Sequence, residues 1–228
     1  KVLGEDVALD EAQASAASAI AGTHGLVTVT GPAGTGKTTL LRVARAALEA
    51  KGRRMVVVAP TKKAASVAGR EVGASAGSLH ALLFDHGWRW GTDETGATAW
   101  SKLEVGDVDP RTGNAYTGPR QYLLNARDRI VVDEAGMVDL EAAVALADVA
   151  ERTGAGIAMV GDHLQARPVG HSGAMAMMKQ RSGAVVELSA VHRFTDRTYA
   201  DLSLRLREPA DAAAATAVAW ELYERGQL

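Results

Sequence analysis

The sequence predicts an α/β domain with a mostly parallel β-sheet that is covered by helices on both faces. Short runs rich in β-branched residues alternate along the chain with helix-like stretches. These runs are almost continuously apolar, which is typical of parallel strands buried on both faces. With 228 residues, of which 47% are hydrophobic, the chain has enough apolar surface for one large core.

Five strands and four helices are predicted from these runs. The strands are residues 26–30, 55–59, 130–132, 157–160 and 185–188. The helices are residues 39–50, 62–72, 140–152 and a stretch around 174–181.

One segment does not follow this alternation of strands and helices. Residues 85–120 are rich in Gly, Thr, Asp and Trp and have no clear period, which predicts either an irregular insertion or a small β-hairpin. Within it, Trp88, Trp90 and Trp100 either pack the insertion against the domain or stack on bases. We therefore expect one domain over residues 1–208 that contains this insertion, followed by a helical tail over 209–228.

Composition excludes several classes of protein. The chain has no cysteine, which excludes a disulfide scaffold and metal sites built on thiolates. No apolar run approaches the ~20 residues that span a bilayer, and the N-terminus lacks a signal-peptide pattern. We expect a cytoplasmic protein without a membrane partner, cut from a longer chain. The net charge of −2 argues against bulk electrostatic binding of nucleic acid and leaves a local basic patch as the means.

The first motif follows the strand at 26–30 and fits G-x-x-x-x-G-K-[ST] without a mismatch. It comprises Gly31, Pro32, Ala33, Gly34, Thr35, Gly36, Lys37 and Thr38, with Thr39 beginning a helix. Strand, glycine-rich loop and helix together predict a phosphate-binding loop rather than a simple turn. Its backbone N–H groups would surround the phosphates of ATP at the positive end of the helix. Lys37 would reach the β- and γ-phosphates, and the Thr38 hydroxyl would ligate Mg²⁺.

Two carboxylates follow the strand at 130–132. Asp133 and Glu134 would lie at the carboxyl end of a buried strand, beside the phosphate loop. Asp133 would hold Mg²⁺ through water, and Glu134 would be the general base for the attacking water. The alternative is a strand that ends in an acidic turn without a chemical role.

An amide follows the strand at 157–160. Gln165 stands three residues after Gly161-Asp162. An amide can donate to a γ-phosphate oxygen and accept from the attacking water, so Gln165 is a candidate sensor of the γ-phosphate.

These motifs stand in a fixed order with three more segments, which are Ala59-Pro-Thr-Lys-Lys-Ala-Ala65, Ser78-Leu-His80 and an arginine, Arg193, after an apolar strand. In this order the chain resembles superfamily 1 DNA helicases of the RecD/TraI-like group. The residue sequences of the motifs are similar to those in the helicase portion of conjugative relaxases of the MobF/TraA type. The resemblance spans about residues 9–207 and implies a RecA-like P-loop NTPase motor domain of three layers that translocates 5′ to 3′ on single-stranded DNA.

The resemblance also implies residue roles. Gln13 would contact adenine, although Asp10 and Gln13 also have the spacing of a helix-capping box. Arg193 would contact the γ-phosphate, the alternative being a surface ion pair. The residues that would meet the DNA strand are Pro60, Thr61, Lys62 and His80.

Two departures from the family's pattern matter. Gln165 is followed by Ala-Arg167-Pro rather than Leu-Pro, and the motifs of a second RecA-like domain do not follow Arg193. We therefore expect single-stranded DNA, a second motor domain and a relaxase nuclease domain as partners. For this chain alone we expect Mg²⁺-dependent nucleotide binding, weak ATPase activity and no unwinding. The rival hypotheses are a P-loop kinase or NTPase unrelated to DNA and a degenerate helicase domain that serves for docking.

Overall fold

The computed structural model describes residues 8–92, 96, 98–162, 173–190, 198, 201–202, 205–206 and 209–226. The strands are β1 (Leu26–Thr30), β2 (Arg54–Ala59), β3 (Ser75–Ser78), β4 (Trp88–Thr92), β5 (Thr98–Lys102), β6 (Asp128–Val132), β7 (Gly156–Gly161) and β8 (Ala184–Glu187). The helices are α1 (Glu11–Ile20), α2 (Lys37–Glu49), α3 (Lys62–Val72), α4 (Leu79–Asp85), α5 (Leu140–Thr153), α6 (Ala174–Arg181) and α7 (Ala212–Glu224), with a 3₁₀ turn at Ala135–Met137.

Six strands form one parallel sheet in the order β3-β2-β6-β7-β1-β8. The strands β6 and β7 are buried along their whole length, as the apolar runs at 130–132 and 157–160 predict. Their register aligns the carboxyl ends, because Thr30 pairs with both Gly161 and Glu187. The predicted mostly parallel α/β fold is therefore confirmed.

The sheet separates two apolar cores, which makes a three-layer domain. Alternate residues of each strand face opposite layers, so Val56 and Val58 pack with α4, α5 and α6, while Val57 packs with α1, α2 and α3. Among the largest fully buried side chains are Leu82 and Leu146 in the first core and Leu40 in the second. The helices thus cover both faces of the sheet.

Strand β3 was not predicted, because its sequence Ser75-Ala-Gly-Ser78 has no apolar run. It forms because β2 offers a free edge, and the two strands pair from Val56↔Ser75 to Ala59↔Ser78. Gly77 leaves room for the buried Tyr122, whose hydroxyl would lie 1.8 Å from a Cβ at this position. A glycine is required here by close packing rather than by its backbone angles.

The segment 85–120 contains an antiparallel hairpin of β4 and β5, one of the two alternatives that the sequence left open. Its tryptophans pack against the core and against one another, with the Trp90 and Trp100 rings 5.1 Å apart. The Trp88 indole donates to the Asp148 carboxylate on α5 at 3.2 Å. The hairpin is therefore packed onto the domain, which is the first of the two roles considered for the tryptophans.

A buried arginine anchors the carboxyl end of α1. Arg129, at 0% exposure, donates to the main-chain oxygens of Gly22 (3.0 Å) and His24 (2.7 Å). Arg53 donates to Gly22 at 2.6 Å and to Ala21 at 3.2 Å. Cations at this end of a helix satisfy unpaired carbonyls and complement the helix dipole. Burial, followed by the charge of Arg53, lowers the pKa of Arg129 to about 10, so it stays a cation at neutral pH.

Within the predicted helical tail, residues Ala212–Glu224 form α7. Val218 and Leu222 are its buried residues and pack against Leu202. Within the described residues, no helix combines the length and apolar character required to cross a membrane.

The contact between Gly77 and Tyr122 gives a test of the fold. We expect Gly77→Ala to lower the free energy of unfolding by about 1–3 kcal/mol, because the new methyl group overpacks the site. Urea denaturation followed by circular dichroism would measure the change. Gly25→Ala is the matched control, since no atom lies within 4 Å of a Cβ there.

A double variant tests whether the clash with the Tyr122 hydroxyl causes the loss of stability. Adding Tyr122→Phe removes the clashing hydroxyl and leaves the nearest ring carbon 3.0 Å from the new Cβ. The double variant should therefore recover part of the lost stability. Equal stability of Gly77→Ala and Gly25→Ala would contradict this account.

Candidate functional site

The predicted motifs meet at one edge of the sheet, because the parallel strands that precede them end side by side. The Gly31 N–H donates to the Gly161 carbonyl at 3.0 Å, and the Asp133 N–H donates to the Val58 carbonyl at 2.8 Å. These bonds continue the sheet past its last paired residues. They join the start of the phosphate loop to the end of β7, and the first carboxylate to β2.

The phosphate loop has the conformation that its glycines allow. Gly34 and Gly36 have φ of 87° and 72°, in the left-handed region that favours glycine. Gly36 caps the amino end of α2, so Lys37 and Thr38 lie in its first turn. The Lys37 ammonium donates to the main-chain oxygens of Gly31 and Pro32 at 2.9 Å each. The cation is therefore held within the loop, at the positive end of a helix.

Gln13 joins α1 to this loop. Its Oε1 accepts from the Asp10 N–H at 3.0 Å, and its own N–H donates to the Asp10 carboxylate at 2.7 Å, so the capping box is formed. Its Nε2 donates to the Thr35 carbonyl at 2.9 Å, and the residue is 4% exposed. The side chain thus fixes the position of α1 against the phosphate loop. Its contact with adenine stays a prediction.

The two carboxylates follow β6 in a tight turn. Glu134 has φ of 53° and ψ of 39°, the only positive φ among the non-glycine residues that the structure describes. Its N–H donates to the Asp133 Oδ1 at 3.0 Å. A Cβ at Gly161 would lie 2.7 Å from the Ala135 nitrogen and 3.0 Å from the Gly136 nitrogen. The turn therefore packs directly on the backbone at the end of β7, where only glycine fits.

A cleft of about 370 Å³ brings the loop and the carboxylates together. Its lining residues are Lys37, Thr38, Thr61, Lys63, Ala64, Val67, Ala68, Glu71, Asp133 and Glu134. Two of these, Lys63 and Glu71, are charged residues of α3 that belong to none of the predicted nucleotide-binding motifs. Lys63, Val67 and Glu71 recur every four residues and so share one helical face, which is the signal that could have revealed them.

Glu71 contacts a predicted metal ligand. The Thr38 hydroxyl donates to the Glu71 carboxylate at 3.2 Å. Burial, followed by the charge of Glu134, raises the pKa of Asp133, and Lys37 opposes the rise. A hydroxyl beside carboxylates is the set of hard oxygen ligands that Mg²⁺ prefers. The residues present therefore fit this cation.

The segments predicted to meet DNA end two neighbouring strands. Pro60, Thr61 and Lys62 follow β2, where the Thr61 hydroxyl accepts from the Ala64 N–H at 3.1 Å and caps α3. His80 follows β3, the neighbour of β2, in the first turn of α4. The His80 ring packs edge-on against Trp90 at 4.8 Å. The fold thus brings both segments to the edge of the sheet that carries the cleft.

Two predicted catalytic residues, Gln165 and Arg193, lie outside the described residues, as does Arg167. The strands before them, β7 and β8, flank β1 and end at the same edge as the phosphate loop. Their roles stay predictions.

Comparison with known proteins gives a family and a set of relatives. A family model described as AAA domain matches residues 8–225. A probable conjugal transfer protein TraA of Sinorhizobium fredii is 29% identical over 198 residues, which are 87% of this chain and 15% of that protein. The conjugal transfer protein TraA of Agrobacterium fabrum is 30% identical over 185 residues, 81% of this chain and 14% of that protein. The chain thus spans about 15% of the length of these relatives.

Solved structures of Pif1 share the fold. The Pif1 helicase of Candida albicans superposes with a TM-score of 0.62 at 21% identity, over 93% of this chain and 47% of that one. Pif1 of a Bacteroides species, in complex with ADP-AlF4, gives 0.56 at 22% identity, over 88% and 46%. The fold is therefore that of a RecA-like P-loop NTPase. The chain belongs to the AAA domain family, and the resemblance to conjugal transfer proteins of the TraA type that its motifs predict is confirmed.

Proposed function

We propose that this chain is the ATP-hydrolysing motor domain of a DNA helicase that moves 5′ to 3′ and acts in conjugative DNA processing. The observation that carries the proposal is the cleft in which Lys37, Thr38, Asp133 and Glu134 meet. The related Pif1 structures in complex with ADP-AlF4, and with ADP-AlF3 and single-stranded DNA, support nucleotide and DNA as ligands. The TraA relatives support a role in conjugal transfer.

The phosphate loop would bind and orient the triphosphate. Its backbone N–H groups at the start of α2 would donate to the phosphates, and the Lys37 cation would exchange its carbonyl partners for phosphate oxygens. The Thr38 hydroxyl and Asp133 would hold Mg²⁺, which when bound neutralises charge on the β- and γ-phosphates. Gln165 and Arg193, which follow β7 and β8 in the sequence, would contact the γ-phosphate.

Glu134 would act as the general base. It would accept a proton from the water that attacks the γ-phosphorus, in line with the leaving ADP oxygen. Its left-handed backbone conformation costs about 1–3 kcal/mol and is maintained by the packing of the turn on Gly161. The turn thereby keeps Glu134 among the residues that line the cleft.

The DNA strand would be held at the start of α3 and at His80. Thr61 and Lys62 offer a hydroxyl and a cation at a helix start, which suits contact with the phosphates of the strand. Because α3 also lines the nucleotide cleft, one helix would carry both ligands. A second RecA-like domain and a relaxase nuclease domain are the partners proposed in the longer protein.

Two substitutions separate binding from chemistry. We expect Lys37→Ala to weaken binding of a fluorescent ATP analogue at least about 10-fold, because a charge-assisted bond to phosphate is lost. Glu134→Gln should keep binding and lower turnover by about 10²- to 10⁴-fold, since the amide cannot accept the proton. Fluorescence titration and phosphate release measure the two quantities.

Glu151→Gln, an exposed change of the same type on α5, is the control for Glu134→Gln. Normal turnover by Glu134→Gln would refute the assignment of the base. Failure of the unaltered chain to bind nucleotide would refute the proposed function itself.

The close packing at Gly161 predicts that a shift in the position of Glu134 is enough to lower turnover. Gly161→Ala would push the turn of Glu134 away by several tenths of an ångström. We expect turnover to fall about 10- to 100-fold, while nucleotide affinity changes less than about threefold. Gly25→Ala is the control, and the idea fails if Gly161→Ala folds normally and turns over like the unaltered chain.

DNA binding can be tested at the start of α3. We expect Lys62→Ala to lower affinity for single-stranded DNA and to weaken its salt dependence, because one phosphate contact is removed. Arg70→Ala removes an equal charge from an exposed position of the same helix and should have a smaller effect. Filter binding at two salt concentrations measures both. Equal losses in the two variants would argue against a specific contact at Lys62.

A further inference from the structure

Glu71 is the one carboxylate of the cleft to which the proposed mechanism gives no role. It lies in the last turn of α3, about 30 residues from the phosphate loop in sequence, and lines the same cleft as Lys37 and Asp133. Its Oε2 accepts the hydrogen bond of the Thr38 hydroxyl at 3.2 Å. This contact joins an acid of one helix to the predicted metal ligand of another.

The hydroxyl of Thr38 has one proton and two lone pairs. To ligate a cation through a lone pair, the hydroxyl must direct its proton to an acceptor elsewhere. Glu71 is such an acceptor, since its Oε2 accepts this proton in the structure. A hydrogen bond from a ligand to a carboxylate fixes the ligand's orientation and strengthens it as an electron donor.

The two helices are fastened together near this contact. On α2, Arg45 donates to the Val72 carbonyl at 3.0 Å, directly after Glu71. Gly73 ends α3 with φ of 72°, and a Cβ there would lie 2.4 Å from the Arg45 guanidinium. The last turn of α3 is therefore packed against the helix that carries Thr38. The distance between Glu71 and Thr38 depends on this packing and not only on two flexible side chains.

We propose that Glu71 is a positioning residue of the magnesium site, which orients the Thr38 hydroxyl toward Mg²⁺ without ligating the ion itself. The inference rests on the proposed function, since it assumes that Mg²⁺ and nucleotide bind in this cleft. Glu71 also places a further negative charge near Asp133, which would favour binding of a divalent cation in this cleft.

The test is the Mg²⁺ dependence of nucleotide binding. Fluorescence of N-methylanthraniloyl-ADP would be followed while MgCl₂ is titrated into each variant. We expect Glu71→Ala to raise the Mg²⁺ concentration at half-maximal binding about 10- to 100-fold. Glu71→Gln, which keeps an acceptor oxygen but no charge, should give a smaller rise. Glu151→Gln is the control for the loss of a surface carboxylate and should leave the midpoint unchanged.

A double variant tests whether Glu71 acts through Thr38. Thr38→Val removes the hydroxyl and should itself raise the Mg²⁺ midpoint. If Glu71 only orients that hydroxyl, adding Glu71→Ala to Thr38→Val should change the midpoint little, because the two effects are coupled. A full additional shift in the double variant would overturn the positioning role.

The remaining outcomes distinguish this inference from the function on which it rests. A shift of less than about twofold in Glu71→Ala, with Mg²⁺-dependent binding intact in the unaltered chain, overturns the role of Glu71 alone. Mg²⁺-independent binding, or no binding, by the unaltered chain overturns the proposed magnesium site as well. Circular dichroism of each variant would show whether a loss of nucleotide binding results from unfolding.

Discussion

Six parallel strands end side by side at one edge of the sheet, and the meeting of the phosphate loop with Asp133 and Glu134 depends on this alignment. Thr30, Gly161 and Glu187 occupy one level of the register, so β1, β7 and β8 end together. Two hydrogen bonds beyond the paired residues, Gly31 to Gly161 and Asp133 to Val58, carry the alignment into the loops. A phosphate loop alone would bind an anion. The aligned neighbour β6 adds the carboxylates of Asp133 and Glu134.

Close approach of main chain to main chain gives the cleft its small size. Gly161 lets the turn of Asp133 and Glu134 lie on the end of β7. Gly31 likewise leaves no room for a side chain, although its neighbours are side-chain atoms: a Cβ there would lie 2.8 Å from the Leu188 Cβ and 2.9 Å from the Thr35 hydroxyl. In both places a side chain would separate elements whose reacting groups must meet within a few ångströms.

The sequence alone predicts the elements whose signal is local. The apolar run at 130–132 indicates β6, although Asp128 and Arg129 extend the strand at its start. The helices α3 and α6 begin and end as their sequences indicate. Strand β3 has no such run, because its stability comes from pairing with β2 and from the space at Gly77 that Tyr122 fills. Likewise, the motif spacing indicates Lys37 and Glu134 but not Glu71. Its role depends on how α3 packs beside α2, and that packing is tertiary.

Arg129 has a consequence for how relatives of this chain can be compared. Its guanidinium reaches main-chain carbonyls as far as 107 residues away in sequence, and any residue type offers such a carbonyl. The side chain at position 24, for instance, can therefore change freely while the anchor persists. Co-variation between positions reveals contacts only where two side chains depend on each other. A long-range contact between a side chain and a main-chain carbonyl produces no co-variation, so a method that infers contacts from correlated substitutions would not detect it.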